Sequence, residues 1–97
     1  MAAYIVVNYR VTNPEGYEAY VPAVMPTLAA HGAEVIIADE QSEVLEGNPE
    51  PITVVLKFES REAAKGWYES PEYREIIHLR TDNCESTAVL VDEFVMP

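Results

Sequence analysis

A guanidinium and an imidazole fall on the apolar sides of their helices, and these are the side chains of this sequence best suited to chemistry. Around Arg80, the residues Tyr73, Ile76, Ile77 and Arg80 recur at three, four and seven, which gathers them on one helical face, while Arg74, Glu75, His78 and Asp82 point away. A guanidinium stays charged at any working pH, so on a buried face it needs a carboxylate or a bound anion to offset its desolvation. Two readings follow. Arg80 pairs internally, with an acid such as Glu46, or snorkels outward; or it recognises a ligand carboxylate or enolate. His31 ends an inward stripe of Tyr17, Tyr20, Val21, Val24 and Leu28. It either caps its helix, where the dipole favours imidazolium, or serves as a general acid or base near neutral pH. His78, on the outer face, is set aside.

Trp67 and Tyr68, with Tyr17, Tyr20 and Tyr73, make an aromatic helical layer. Such rings pack a core whatever the function, yet they also wall pockets for flat organic ligands, and a tyrosine hydroxyl can hold an oxyanion. Tyr17, Tyr20, Trp67 and Tyr73 are therefore candidate ligand-binding residues beside the candidate catalytic pair His31 and Arg80. The acids from Asp39 to Glu50 follow no calcium-loop spacing, so no metal site is expected and a solvated hairpin explains them. Cys84 is the lone cysteine and fits no redox or zinc pattern. Phosphate loops, hydrolase elbows and dinucleotide fingerprints are absent from the sequence, and no cofactor is expected.

The elements that must position these residues are legible from periodicity. Residues 4–11 alternate as a strand, with Ile5, Val7, Tyr9 and Val11 on one face. Thr12-Asn13-Pro14 opens a helix that stops at Gly32, and Pro22 and Pro26 predict a kink or break between 21 and 26. Residues 33–39 read as a second strand, which Ser42–Glu46 extends or follows with a short extra one; residues 52–59 read as a third. Ser60 caps a helix over 61–69, and Ser70-Pro71-Glu72 starts another at once. Residues 86–95 close the chain as a fourth strand.

At 97 residues the chain has the size of one domain, and 48% hydrophobic residues suffice for a core without disulfides or metal. One domain over 1–97 is the expectation. Seventeen acids against six Lys and Arg give a net charge of −11, which repels nucleic acid and anionic lipid alike. Five of the six basic residues lie between Lys57 and Arg80, so an anionic ligand would be drawn there. A single thiol suits a reducing compartment, and the apolar run near the N-terminus is broken at Asn8, too early for a signal peptide or a membrane span. A cytoplasmic protein is expected.

The order strand, helix, strand, strand, helix, strand is that of the ferredoxin-like βαββαβ unit, an α+β fold with a four-stranded antiparallel sheet and its helices on one face. The other sheet face then carries Tyr4, Val6, Val55 and Ile36 beside Asn8, Arg10 and Lys57. This exceeds what a monomer normally exposes, so a homodimer through stacked sheet faces is expected, against a monomer covered by its own tail or a different strand order.

Several segments carry a resemblance to a known family: Tyr17-Glu18-Ala19-Tyr20, Leu28-Ala29-Ala30-His31-Gly32, Val44-Leu45-Glu46-Gly47, the run from Phe58 through Trp67-Tyr68-Glu69-Ser70-Pro71 to Tyr73, and Leu79-Arg80. In this order and spacing, the chain resembles the domain-of-unknown-function family 1330, among the dimeric α/β-barrel families, over almost its full length. Similar sequences often carry a second glycine where this chain has Ala33. The resemblance implies a ferredoxin-like fold and a dimeric barrel, and no single reaction, since fold does not transmit function. Related barrels include cyclases, isomerases and oxygenases. The resulting expectation is a small-molecule-binding protein, or a cofactor-independent enzyme of isomerase, cyclase or monooxygenase type acting on an apolar or aromatic carbonyl or carboxylate compound. The alternatives are a non-catalytic metabolite-binding module and a purely structural dimer.

Overall fold

A computed structural model describes residues 1–97. The elements run β1 (Ala3–Val11), α1 (Pro14–Tyr17), α2 (Tyr20–Ala30), β2 (Glu34–Asp39), β3 (Ile52–Phe58), α3 (Arg61–Tyr68), α4 (Pro71–Arg74), α5 (His78–Thr81) and β4 (Cys84–Asp92). The four strands form one antiparallel sheet in the order β2-β3-β1-β4. The long pairings of β1 with both neighbours fix which side chains face the helices: Ile5 opposes Leu56 and Leu90, and Val7 opposes Val54 and Ala88. Because side chains alternate across a strand, this register turns Ile5, Val7, Tyr9, Leu56 and Phe58 inward together, and all five are buried.

The helical layer departs from the sequence expectation in two places. The first helix breaks at Glu18–Ala19 rather than between 21 and 26. Restarting α2 at Tyr20 puts Pro22 in the first turn, where its missing N–H has no carbonyl to lose, so only Pro26 sits inside the helix. The helix after Ser70 is likewise divided into α4 and α5 by a turn at 75–77. Its start is as expected: Ser70 Oγ accepts from the Tyr73 amide at 3.3 Å and donates to the Trp67 carbonyl at 2.7 Å, locking α3 to α4 at a tight corner. Ser60 caps α3 by accepting from the Ala63 amide at 3.1 Å. Ser42–Glu46 forms no strand; Ser42 instead ties the loop to β3 through its Oγ, 2.8 Å from Thr53 Oγ1.

The core lies between the layers, with Trp67, Tyr73 and Phe58 its largest fully buried side chains. Trp67 stacks on Tyr73 with ring centroids 4.0 Å apart and reaches Phe58 at 5.6 Å. The indole N–H is satisfied by Thr27 Oγ1 at 3.0 Å. Only 16 of 97 residues are buried, because the Cα trace is a slab 44 × 36 × 16 Å with no third layer on the far side of the sheet. That far face presents Tyr4, Val6, Val55, Val89 and Val91. The irregularity between Val35 and Ile37 makes Ile36 an unpaired bulge residue and gives Ile37 the place opposite Val55.

Candidate functional site

Helix α2 comes close to α4 and hardly to any strand, so a gap opens beneath it against β2 and β3. This gap is a cavity of about 150 Å³. Ile5, Val7, Val54 and Leu56 make its floor, Tyr20, Val24 and Leu28 of α2 its roof, and Trp67 and Tyr73 its end wall. Val21, Met25 and Val35, all exposed, stand on the α2–β2 side, where the cavity meets solvent. Arg80 is the one charged residue in an otherwise almost entirely apolar lining.

Arg80 is only 4% exposed. Neither arrangement that would neutralise it within the chain is present: Glu46 is exposed on its loop, and the ion pairs join Arg10 to Glu50, His31 to Glu72 and Arg61 to Asp92. The guanidinium donates from Nη1 to Ser86 Oγ at 2.9 Å and from Nη2 to Tyr73 Oη at 3.4 Å, and lies 6.0 Å from the Tyr20 ring centre. Its Nε is the sole buried side-chain nitrogen or oxygen without a hydrogen-bond partner. Burial by itself would loosen the proton, but the Tyr73 and then the Tyr20 hydroxyl outweigh it and hold the group cationic. The protein thus keeps a desolvated cation supported only by neutral oxygens, an arrangement that an entering anion would stabilise.

The hydroxyls extend this polar end. Tyr20 Oη and Tyr73 Oη lie 2.8 Å apart, continuing the Arg80–Tyr73 contact along a line. Burial first, then the Tyr73 neighbour, pushes the Tyr20 hydroxyl above the usual tyrosine range, against the opposing pull of Arg80, so it remains a neutral hydrogen-bonding group at physiological pH. A second pair, Tyr9 Oη and Tyr17 Oη at 2.6 Å, sits beside it.

Of the residues singled out from sequence, the structure therefore brings Arg80, Tyr20, Trp67 and Tyr73 together around one cavity. Tyr17 stays outside the lining, where it packs on Tyr20 at 5.6 Å and positions Tyr9. His31 also lies outside it. The helix ends at Ala30 in a left-handed turn: Gly32 has φ 68°, its amide donates to Ala29 and that of Ala33 to Leu28. His31 is the first residue of that turn, and its Nε2 lies 3.6 Å from a Glu72 carboxylate near the surface. The inward stripe accordingly stops at Leu28. Ser86, the closest partner of Arg80, escaped the sequence reading, although its inward position on β4, in step with Cys84, Ala88 and Leu90, marks it as a polar group facing an apolar layer.

These features define a ferredoxin-like α+β domain with a cationic, tyrosine-lined cavity between its helices and its sheet. The chain belongs to the family described as domain of unknown function, DUF1330, whose pattern matches residues 2–94. No curated protein matches it. Among solved structures it is similar to RPA0582 of Rhodopseudomonas palustris, a protein of unknown function, with a TM-score of 0.80 at 16% identity over 98% of this chain and 84% of the other. It is also similar to SnoaB of Streptomyces nogalater, a cofactor-independent oxygenase, with a TM-score of 0.69 at 11% identity over 98% and 95%. A Bacteroides thetaiotaomicron protein of unknown function, described as a possible oxidoreductase, gives 0.59 at 13% over 95% and 97%. At these identities the likeness is one of fold.

Proposed function

We propose that the protein binds a small apolar or aromatic compound through an acidic oxygen, a carboxylate, enolate or phenolate, held at Arg80. The observation that carries this reading is a 4%-exposed guanidinium with an unpartnered Nε and no carboxylate partner, at the wall of a cavity that is otherwise apolar. Tyr73 and Tyr20 would share the oxyanion, while Trp67 and the aliphatic floor would take the rest of the ligand. An apolar cavity of about 150 Å³ suits one benzene-sized ring.

The finer reading is a cofactor-independent reaction on such a compound, favoured by the fold shared with SnoaB. Arg80 would stabilise the oxyanion as it forms, and the Tyr73–Tyr20 hydroxyl pair would carry hydrogen bonds to it. This reading gives His31 no role, because it lies outside the cavity lining with its Nε2 3.6 Å from a Glu72 carboxylate. We further propose that the protein works as a cytoplasmic homodimer through the far sheet face, where Val89 and Val91 are exposed beside Tyr4, Val6 and Val55.

A thermal-shift panel of arylcarboxylates, phenols and β-dicarbonyl compounds tests the reading, followed by mass spectrometry of each hit after incubation. A ligand at one hundred times its Kd should add about 2.7 kcal/mol of stability. Arg80→Gln should lose at least tenfold in affinity for an anionic hit while remaining folded. Retention of full affinity by that variant would remove the anion site; an unchanged hit after incubation would leave binding without turnover.

A further inference from the structure

A second cavity, of about 160 Å³, lies between α3 and β4, flanked by the Lys65 and Glu69 side chains. It shares Ile5, Tyr68 and Ala88 with the first. Ile5 and Ala88 belong to the inward face of adjacent strands and are diagonal neighbours two residue pairs apart in register, so they form the floor common to both spaces. Tyr68 descends from the end of α3 and is the only helical residue bordering both cavities. The two cavities thus adjoin over one floor, with Tyr68 the one helical residue common to both.

The surroundings of that ring suit a movable divider better than a fixed core residue. Trp67 and Tyr73, on either side of it in sequence, are 2% and 1% exposed, whereas Tyr68 is only partly buried. Its backbone carbonyl is held by Arg74 Nε and Nη2 at 2.9 and 2.7 Å, which fixes the chain, but its hydroxyl has no protein partner. On its outer side the ring meets the Arg74 guanidinium at 4.5 Å, a contact that a side-chain rotation can trade for solvent. Ala88, which lines both cavities together with Tyr68, is a small residue where the neighbouring inward positions carry Val7 and Leu90. Turning Tyr68 therefore breaks no side-chain hydrogen bond and trades ring contacts with Trp67 at 6.2 Å and Tyr73 at 5.7 Å for contacts elsewhere.

We propose that Tyr68 sets the length of ligand the protein accepts: the inner chamber holds a single ring with its acidic oxygen at Arg80, and the outer chamber receives a second ring or chain only when Tyr68 turns aside. The ligand class is then an elongated aromatic or alkyl-aryl acid, anionic at one end and apolar at the other. This rests on the anion-site reading above for the orientation of the ligand, but not for the existence of the divider.

Calorimetric titration of four probes separates the two: benzoate and biphenyl-4-carboxylate, with their neutral amides benzamide and biphenyl-4-carboxamide. Tyr68→Ala should raise the affinity for both biphenyl probes at least tenfold relative to their one-ring counterparts, and Tyr68→Leu should do so to a smaller degree if the alanine variant folds poorly. Tyr68→Phe should keep the parental ratio, and Ala88→Leu should lower it by filling the passage. An unchanged ratio in Tyr68→Ala and Tyr68→Leu, or failure of both to bind either biphenyl probe, overturns the divider. Equal affinity for acid and amide overturns the Arg80 anion site while leaving the divider in place.

Discussion

At the scale of residues, the cavity is a contrast between one buried cation and the oxygens arranged to tolerate it. Ser86 and Tyr73 take two of its N–H groups, and neither is charged. The site is therefore polar enough to survive empty and incomplete enough to favour an anion. Tyr20 carries a separate consequence. Its hydroxyl titrates above the ordinary value near 10 because it is buried beside Tyr73. As pH rises past about 10 the unfolded chain releases this proton first, so the stability it contributes is complete below that pH and is lost as pH climbs toward the folded value. Tyr20→Phe should lower stability at pH 8 by about 1 kcal/mol through the lost hydroxyl pair. It should also flatten the decline between pH 10 and 11, where one lagging proton costs about 1 kcal/mol across the unit. Urea melts across that range measure both.

At the scale of elements, the cavity exists because α2 stands off the sheet. Its start at Tyr20 and its Schellman-type stop at Gly32 fix the ends, while Pro26 deprives the interior of one donor. Pro26 is exposed, so its replacement changes the backbone and not the lining. Pro26→Ala should stabilise the protein by about 2 kcal/mol, the helical penalty of proline less its effect on the unfolded chain. Chemical denaturation at neutral pH reads it; a loss of stability would show that Pro26 holds the helix in its offset position.

The four strands and the order of the main helical segments were readable from alternation, caps and glycine stops, because those signals are local. The break at Glu18–Ala19 was not, since α-helical periodicity continues through it and the two prolines offered a stronger but false marker. The same limit decided the candidate site. Tyr20, Trp67 and Tyr73 could be placed on inward stripes because helical periodicity carries through the turns beside them. His31 could not, because its orientation depends on the turn that begins at it. Glu46, weighed as a partner for Arg80, is carried away by a loop whose path no periodicity records.

At the scale of the whole molecule, an uncovered sheet face is the main unfinished surface. Residues Val89 and Val91 on β4 and Ile37 on β2 remain exposed across one face of a thin slab, while the apolar residues of the tail, such as Phe94, are exposed too and do not cover it. Burying this face against a second copy would close it with twofold symmetry. Light scattering should give twice the 10.8 kDa chain mass for the parent and the chain mass for Val6→Glu combined with Val89→Lys. A monomeric parent at micromolar concentration would contradict the stacked-sheet dimer without touching the cavity, which is built within one chain.

Arg80 Nε is the one buried side-chain polar atom left without a partner, and an anion bound in the cavity would meet it first. Its N–H resonance can be followed directly by proton–nitrogen correlation spectroscopy while benzoate is titrated. The prediction is a downfield shift that saturates with the same Kd as the stabilisation and is absent with benzamide. A resonance that stays fixed while benzoate binding saturates would contradict the anion site.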